Sequence, residues 1–256
     1  MPIRILTFNI QNGHPWIEGD PFTSVMDLDG VAHFIRDQGA DIICLQEVER
    51  GFDGGQQVNP PPNFGRLREA LGIYDSVFSY PLQNDTEIPF GLGLAIFSKT
   101  PLRDFERIDL PAADLQFEFE GKMRRASSRL LIEASTTIEG HDIRLMNTHL
   151  QAFFMVGSSS DSHPEQRNVI EQRLKLHAGG PVLLAGDMNA APGESIVQQF
   201  GNIGFQTAQN TEVTWHRRPY VVDHIFFNSK LALKSAHVID SNVSDHFPVV
   251  ADFEFC

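Results

Sequence analysis

At 256 residues, with roughly 150 residues per domain as a guide, the chain has room for one or two domains and a sizeable core. Its 41% hydrophobic content excludes a disordered or fibrous chain, and two cysteines, Cys44 and Cys256, exclude a disulfide scaffold. Lys and Arg number 20 against 33 Asp and Glu, a net charge of −13 that disfavours duplex nucleic acid as a partner, because such binders collect Lys and Arg along a basic stripe.

In chain order, MPIRILTFNI opens directly on an alternating apolar segment and predicts a strand over Ile3–Ile10. The absence of a charged, cleavable leader there gives the expectation of an intracellular, cytoplasmic protein. No apolar run approaches the roughly 18 residues of a spanning helix, so no transmembrane segment is expected. Val25–Gln38 places Val25, Leu28, Val31, Ala32 and Ile35 on one helical face. Further strands are predicted over Asp41–Gln46, where Cys44 reads as a small buried hydrophobe, and over Leu92–Ser98, Arg125–Ala134 and Asp142–His149. After a helix over His163–His177 come strands at Val182–Gly186, Val222–Phe227 and Phe247–Phe255, with short helices at Phe64–Leu71 and Glu194–Phe200. Val48–Asn63, Ser79–Gly91, Asp109–Met123 and Gln151–His163 read as long loops, the usual seat of binding. No linker, repeat or low-complexity tract divides the chain, which predicts one α/β domain over residues 1–256.

Polar side chains gather at the ends of these apolar strands. Asn9, Glu47, Asn147, His149, Asp187 and Asn189 lie at or just past strand ends, while Asp223, Asp245 and His246 lie at or before strand starts. Singly each has an ordinary explanation: Gly-Asp-x-Asn is usually a turn, and a lone histidine is usually a surface or core residue. That plain reading holds for His14, His33, His141, His163, His177, His216, His224 and His237. Together, however, carboxylates and carboxamides are hard oxygen ligands suited to Mg²⁺ or Mn²⁺ rather than to structural zinc. Glu47 is the candidate main ligand, with Asn9 or Asp245 assisting. His246 paired with Asp223 would carry positive charge next to a phosphate. Asp187 would deprotonate water, with Asn189 orienting it.

These motifs resemble the endonuclease/exonuclease/phosphatase superfamily. TFN at Asn9, LQEV at Glu47, GLGLAIFS near Gly93, NTHL at His149, GDMN at Asp187 and Asn189, DHIFF at Asp223, and SDH at Asp245 and His246 occur in family order. The resemblance implies a DNase I-like four-layer α/β sandwich, two mixed β-sheets packed face to face with helices outside. It also implies hydrolysis of a phosphate ester with a divalent cation, usually Mg²⁺. Carried over by position, Glu47 resembles the main metal ligand with Asn9 beside it and Asp245 in the metal region. Asp187 resembles the water-orienting base and Asn189 a phosphate-contacting partner. His246, supported by Asp223, resembles the phosphate-binding histidine. His149 resembles a phosphate contact or general acid where abasic-site nucleases carry Tyr, and Gln11 stands where they carry an acid; both differences weigh against DNA repair.

Asn147, beside His149, is a candidate substrate contact, and Arg125 or Arg129 could reach phosphate bidentately, sharing one face of a predicted strand. In QAFFMVG, Phe153, Phe154 and Met155 either pack under a loop or form a platform for an apolar or aromatic leaving group. The expected function is a Mg²⁺- or Mn²⁺-dependent phosphodiesterase or phosphomonoesterase, its substrate a small metabolite or lipid headgroup; a nuclease acting on DNA or RNA is the alternative. The intact motif set counts against a catalytically inactive binding module. No oligomeric state follows from the sequence.

Overall fold

The computed structural model describes residues 2–19, 23–49, 52–53, 56–81, 86–87, 92–119 and 121–256. Parts of the expected loops Val48–Asn63, Ser79–Gly91 and Asp109–Met123, and Gly91 of the GLGLAIFS motif, lie outside the described residues.

In chain order the strands are Ile3–Asn9 (β1), Ile42–Gln46 (β2), Phe52–Asp53 (β3), Gln56–Gln57 (β4), Asp75–Ser79 (β5) and Leu94–Ser98 (β6). They continue with Arg103–Leu110 (β7), Gln116–Phe119 (β8), Lys122–Arg125 (β9), Arg129–Ile138 (β10) and His141–His149 (β11). The last five are Val182–Asp187 (β12), Phe205–Thr207 (β13), Asp223–Asn228 (β14), Leu231–Val238 (β15) and Val249–Phe255 (β16). The helices are Leu28–Asp37 (α1), Pro62–Ala70 (α2), Glu165–His177 (α3) and Ile196–Gly201 (α4).

Two six-stranded sheets form, ordered β15-β16-β1-β2-β6-β5 and β13-β14-β12-β11-β10-β7. Both are mixed: β1 runs parallel to β2 and β11 parallel to β12, and their other pairings are antiparallel. Alternation along each central strand divides its apolar side chains between two cores. From β1, Ile3 and Ile5 enter the core between the sheets, where Leu145, Leu183 and Ile225 meet them. Leu6 and Phe8 face the other way, under Val31 and Ile35 of α1 and Leu67 of α2. The second sheet repeats the division, sending Met146, Leu184 and Phe226 outward beneath Ile170 and Leu174 of α3 and Phe200 of α4. These three cores make the four-layer, DNase I-like sandwich. No helix among the described residues is long and apolar enough to cross a membrane.

Several expectations are corrected. The first helix starts at Leu28 rather than Val25, because Asp27 accepts the Gly30 N–H at 2.9 Å as an N-cap and Val25 is 84% exposed. The predicted strand Arg125–Ala134 is broken at residues 126–128. Arg125 ends a hairpin of β8 and β9 within what read as loop, and Arg129 opens β10, so the two arginines do not share a strand face.

Candidate active site

The two sheets deliver their polar strand ends to one place. Asn9 closes β1 and Glu47 follows β2, whereas His149 closes β11, Asp187 closes β12 and Asp223 opens β14. In the second sheet His149 pairs in register with Asp187, and Asp187 with Asp223. Close packing makes this alignment possible: at Gly186 (φ +150°) a Cβ would lie 2.0 Å from the Thr148 carbonyl oxygen. Gln11, Asn12, Glu47 and Asn189 all hold positive φ near the site, a backbone cost that clusters where side-chain aim matters. The SDH loop is tied to the first sheet by Ser244, whose hydroxyl donates to the Asn9 carbonyl at 2.7 Å.

Asp187 is buried and shared among several groups. Its Oδ1 accepts the Asn189 N–H at 2.9 Å, and its Oδ2 accepts from Asn9 Nδ2 at 3.1 Å. The same Oδ2 lies 3.4 Å from His149 Nε2 and 3.7 Å from His246 Nε2. Burial, reinforced by Asp223, pushes the Asp187 carboxyl up to about 7 despite the opposing pull of His246. His246 Nδ1 is 2.8 Å from Asp223 Oδ2. Burial opposes charge on this imidazole, but Asp223 and then Asp187 outweigh it and raise it to about 10, so His246 is an imidazolium at neutral pH. His149 goes the other way: burial, then Arg129 and His246, hold it well below its usual range and keep it neutral.

Glu47 accepts from Asn9 Nδ2 at 3.3 Å and lies 4.0 Å from His149 Nε2. Burial raises its pKa, and Asp245 raises it further. Asn9 therefore bridges the two carboxylates as a donor. Its Oδ1 accepts the Gln11 N–H at 3.1 Å. Asp245 Oδ2 is committed to Arg217 Nε at 2.6 Å and Trp215 Nε1 at 3.4 Å. Asp187, Asp223 and His246 offer ligand atoms within 4.8 Å of one another, and Asp223 Oδ2 holds His246 Nδ1. Half-buried Glu47 is raised by burial and Asp245, and buried Asp187 by burial and Asp223; the hard oxygens of both suit a divalent cation.

Glu47, His149, Asp187, Asp245 and His246 line a cleft of about 430 Å³ together with Arg129, Asn189, Arg217, Trp215, Leu92 and Met155, and Asn9 and Asp223 hold Asp187 and His246 in it. Four expected contacts are elsewhere. Asn147 is fully buried between the sheets, donating to the Leu45 and Ala95 carbonyls at 2.9 Å each and accepting from Gln46 at 2.7 Å, so it clamps the sandwich and does not face substrate. Arg125 is outside the cleft, bridged to Glu87; Arg129, buried with its Nε lacking a hydrogen bond, is inside it. Phe153 packs inward against His163 (5.0 Å between rings), and Phe154 stands behind the cleft wall, 5.8 Å from Trp215. The sequence reading passed over Trp215 and Arg217, and it gave His14, which lines the cleft and meets the Ser24 carbonyl at 2.9 Å, only a surface or core role. Their segments carry no periodic signal that could have marked them.

The endonuclease/exonuclease/phosphatase family model matches residues 6–246. A UPF0294 protein of Vibrio campbellii is 32% identical over 121 residues, which is 44% of this chain and 40% of that protein, so the match spans less than half the length of this curated relative. The crystal structure of an endonuclease/exonuclease/phosphatase from Beutenbergia cavernae superposes with a TM-score of 0.74 at 22% identity, covering 99% of this chain and 72% of that one. The human Nocturnin catalytic domain, solved with a bound sulfate anion, gives 0.69 at 21% identity, covering 100% and 95%. At these identities the likeness carries the fold. Members of the matched family are generally phosphoester hydrolases and usually metal-dependent.

Proposed function

This chain belongs to the endonuclease/exonuclease/phosphatase family, and from that membership and the geometry of the cleft we propose that it is a phosphoesterase using a divalent cation, Mg²⁺ or Mn²⁺, to hydrolyse a phosphate ester by in-line attack of water. The observation that carries the reading is the run of hydrogen bonds and close charge contacts Asp223–His246–Asp187–Asn9–Glu47, of which His246, Asp187 and Glu47 line one cleft.

Asp187, with its carboxyl near 7, takes the proton of the attacking water. The water oxygen bonds to phosphorus as the ester oxygen departs on the opposite side. Asn189 holds the base by its backbone N–H, and its Nδ2 donates to the Leu150 carbonyl at 3.1 Å, fixing the turn that presents both. His246, kept cationic by Asp223, donates from Nε2 to a non-bridging phosphate oxygen and stabilises charge that grows in the transition state. Arg129 offers a second fixed positive group, and neutral His149 is placed to hydrogen-bond the phosphate. Glu47 would hold the cation, with Asn9 aiming the carboxylate and Asp245 shaping the wall beside it. When bound, the cation supplies Lewis-acid polarisation of the phosphate and neutralises the departing oxygen.

The test is turnover of bis-p-nitrophenyl phosphate by purified protein with Mg²⁺, Mn²⁺ or chelator. Asp187→Asn and His246→Ala should each lower the rate by roughly 10²- to 10⁴-fold while both proteins still melt cooperatively. Rates that survive both substitutions, or turnover indifferent to chelator, would remove the reading.

A further inference from the structure

The cleft has two unlike walls. One is the polar floor described above. The other is apolar: Leu92, Ala152, Met155 and Trp215 line it, with Met155 57% exposed at the lip.

This wall is built before any ligand arrives. Residues 213–222 form a strap between β13 and β14, closed by Thr214, whose hydroxyl oxygen accepts the Val222 and Asp223 N–H groups at 2.9 and 3.0 Å. Thr214 N donates to the Tyr220 carbonyl at 2.9 Å, and His216 N donates to the Asp245 carbonyl at 2.9 Å. Trp215 is thereby locked. Its indole N–H points to Asp245, its ring centre lies 6.0 Å from that of His246, and Phe154 and Tyr220 support it from behind at 5.8 and 6.4 Å. Arg218 covers Phe154 and Tyr220 at 5.8 Å each, closing the back of the cluster. With the indole N–H already spoken for, the exposed part of Trp215 has only carbon surface to give the cleft.

The charges set the other limit. Among the described lining residues the arginines and lysines are Arg129 and Arg217, and Arg217 is paired with Asp245. A polymeric nucleic acid gathers affinity from a row of cations on successive phosphates. Among its described residues this cleft offers one phosphate the unpaired arginine Arg129, and it sits on a chain of net charge −13.

Resting on the phosphoesterase reading, we infer that the cleft takes a phosphoester with one phosphate and an uncharged apolar or aromatic substituent, the phosphate facing Arg129 and His246 and the substituent packing on Trp215 and Met155. Phenylphosphonate and methylphosphonate test this, since they share an anion, differ in the apolar group, and have no ester to hydrolyse. Calorimetry should show phenylphosphonate binding roughly tenfold tighter, about the affinity that burying part of a ring contributes. Met155→Ser, at an exposed position, should shrink that preference at least threefold, and Arg129→Met should weaken both ligands. Equal binding of the two phosphonates by a protein that still turns over bis-p-nitrophenyl phosphate overturns the apolar wall and leaves the phosphoesterase reading standing. A preference that Met155→Ser does not change overturns the assignment as well. A six-residue oligothymidylate displacing phenylphosphonate with steep salt dependence would instead indicate a nucleic-acid substrate. Absence of both binding and turnover overturns both readings together.

Discussion

Asn147 and His149 are two residues apart on β11, so their side chains leave the same face of the strand, yet they meet different surroundings. His149, at the strand end, reaches the cleft. One turn of the pleat earlier, Asn147 is covered by the opposite sheet, where its amide donates to carbonyls of both β2 and β6. Asn147→Leu preserves volume but removes both donors and the acceptor for Gln46, leaving buried polar atoms unmatched at roughly 1–3 kcal/mol apiece. The expected outcome is a loss of about 2–4 kcal/mol in chemical denaturation with kcat/KM unchanged per folded molecule. A selective rise in KM with stability intact would return Asn147 to the substrate. Arg129 illustrates the complementary case, a burial that sequence could not reveal. Arg125 and Arg129 are chemically equal in the linear pattern, and only the break at residues 126–128 decides which one enters the cleft.

Among the elements, the central strands were the legible ones. In β1, β2, β12 and β14, apolar runs buried on both faces begin or end at the polar residues of the motifs, so strand and site residue are announced together. The edge strands were not. β7, RDFERIDL, is almost wholly exposed and alternates charges, a composition that protects an edge from further pairing but reads as loop. β5 and β15 edge the first sheet. Behind β7 lies an element-level device far from the cleft. Glu133 of β10 is fully buried and meets Arg144 of β11 at 2.7 Å, Arg173 of α3 at 2.9 Å and His177 of α3 at 3.1 Å, while Glu106 of β7 joins both arginines. Burial opposes the Glu133 charge, but hydrogen bonds from Arg173 and Arg144 outweigh it and hold the carboxyl below 4.5. A depressed carboxyl binds its proton more weakly folded than unfolded, so its stabilisation is complete above the unfolded value and is lost as pH falls through the folded one. Burial lowers His177, which adds a loss in the same direction beginning nearer pH 6.5; the Glu133 window lies beneath it. Glu133→Gln should therefore cost about 1–3 kcal/mol at pH 7, where Arg144 and Arg173 keep Glu106 but lose their buried partner, and should flatten the stability decline below about pH 5. Urea melts at pH 7 and pH 4 decide this, and parallel acid declines in the two proteins would count against it.

Across the whole molecule, the site is a seam. Asn9 and Glu47 come from the first sheet, His149, Asp187 and Asp223 from the second, and His246 from the loop entering β16. The joint below the seam is made by neutral groups, Asn147, Gln46 and Thr7, whereas the seam itself gathers carboxylates held above their usual range, Glu47 by burial and Asp245, Asp187 by burial and Asp223. Such a site works against the sandwich whenever its charges are uncompensated, since separating the sheets would hydrate Glu47 and Asp187. A ligand that binds only the closed seam reverses the sign and stabilises the fold by RT ln(1 + [L]/Kd), about 2.7 kcal/mol at a hundred times Kd. Saturating Mg²⁺ or Mn²⁺ should thus raise Tm by several degrees, chelator should reverse the rise, and monovalent salt at equal ionic strength should not reproduce it. Glu47→Gln separates this linkage from general screening. Removing one of the two raised carboxylates should increase Tm without added metal, by relieving repulsion, while abolishing the response to divalent cation. A Glu47→Gln protein that melts lower than the parent and still responds to Mg²⁺ would place the cation elsewhere and leave the seam held by other means.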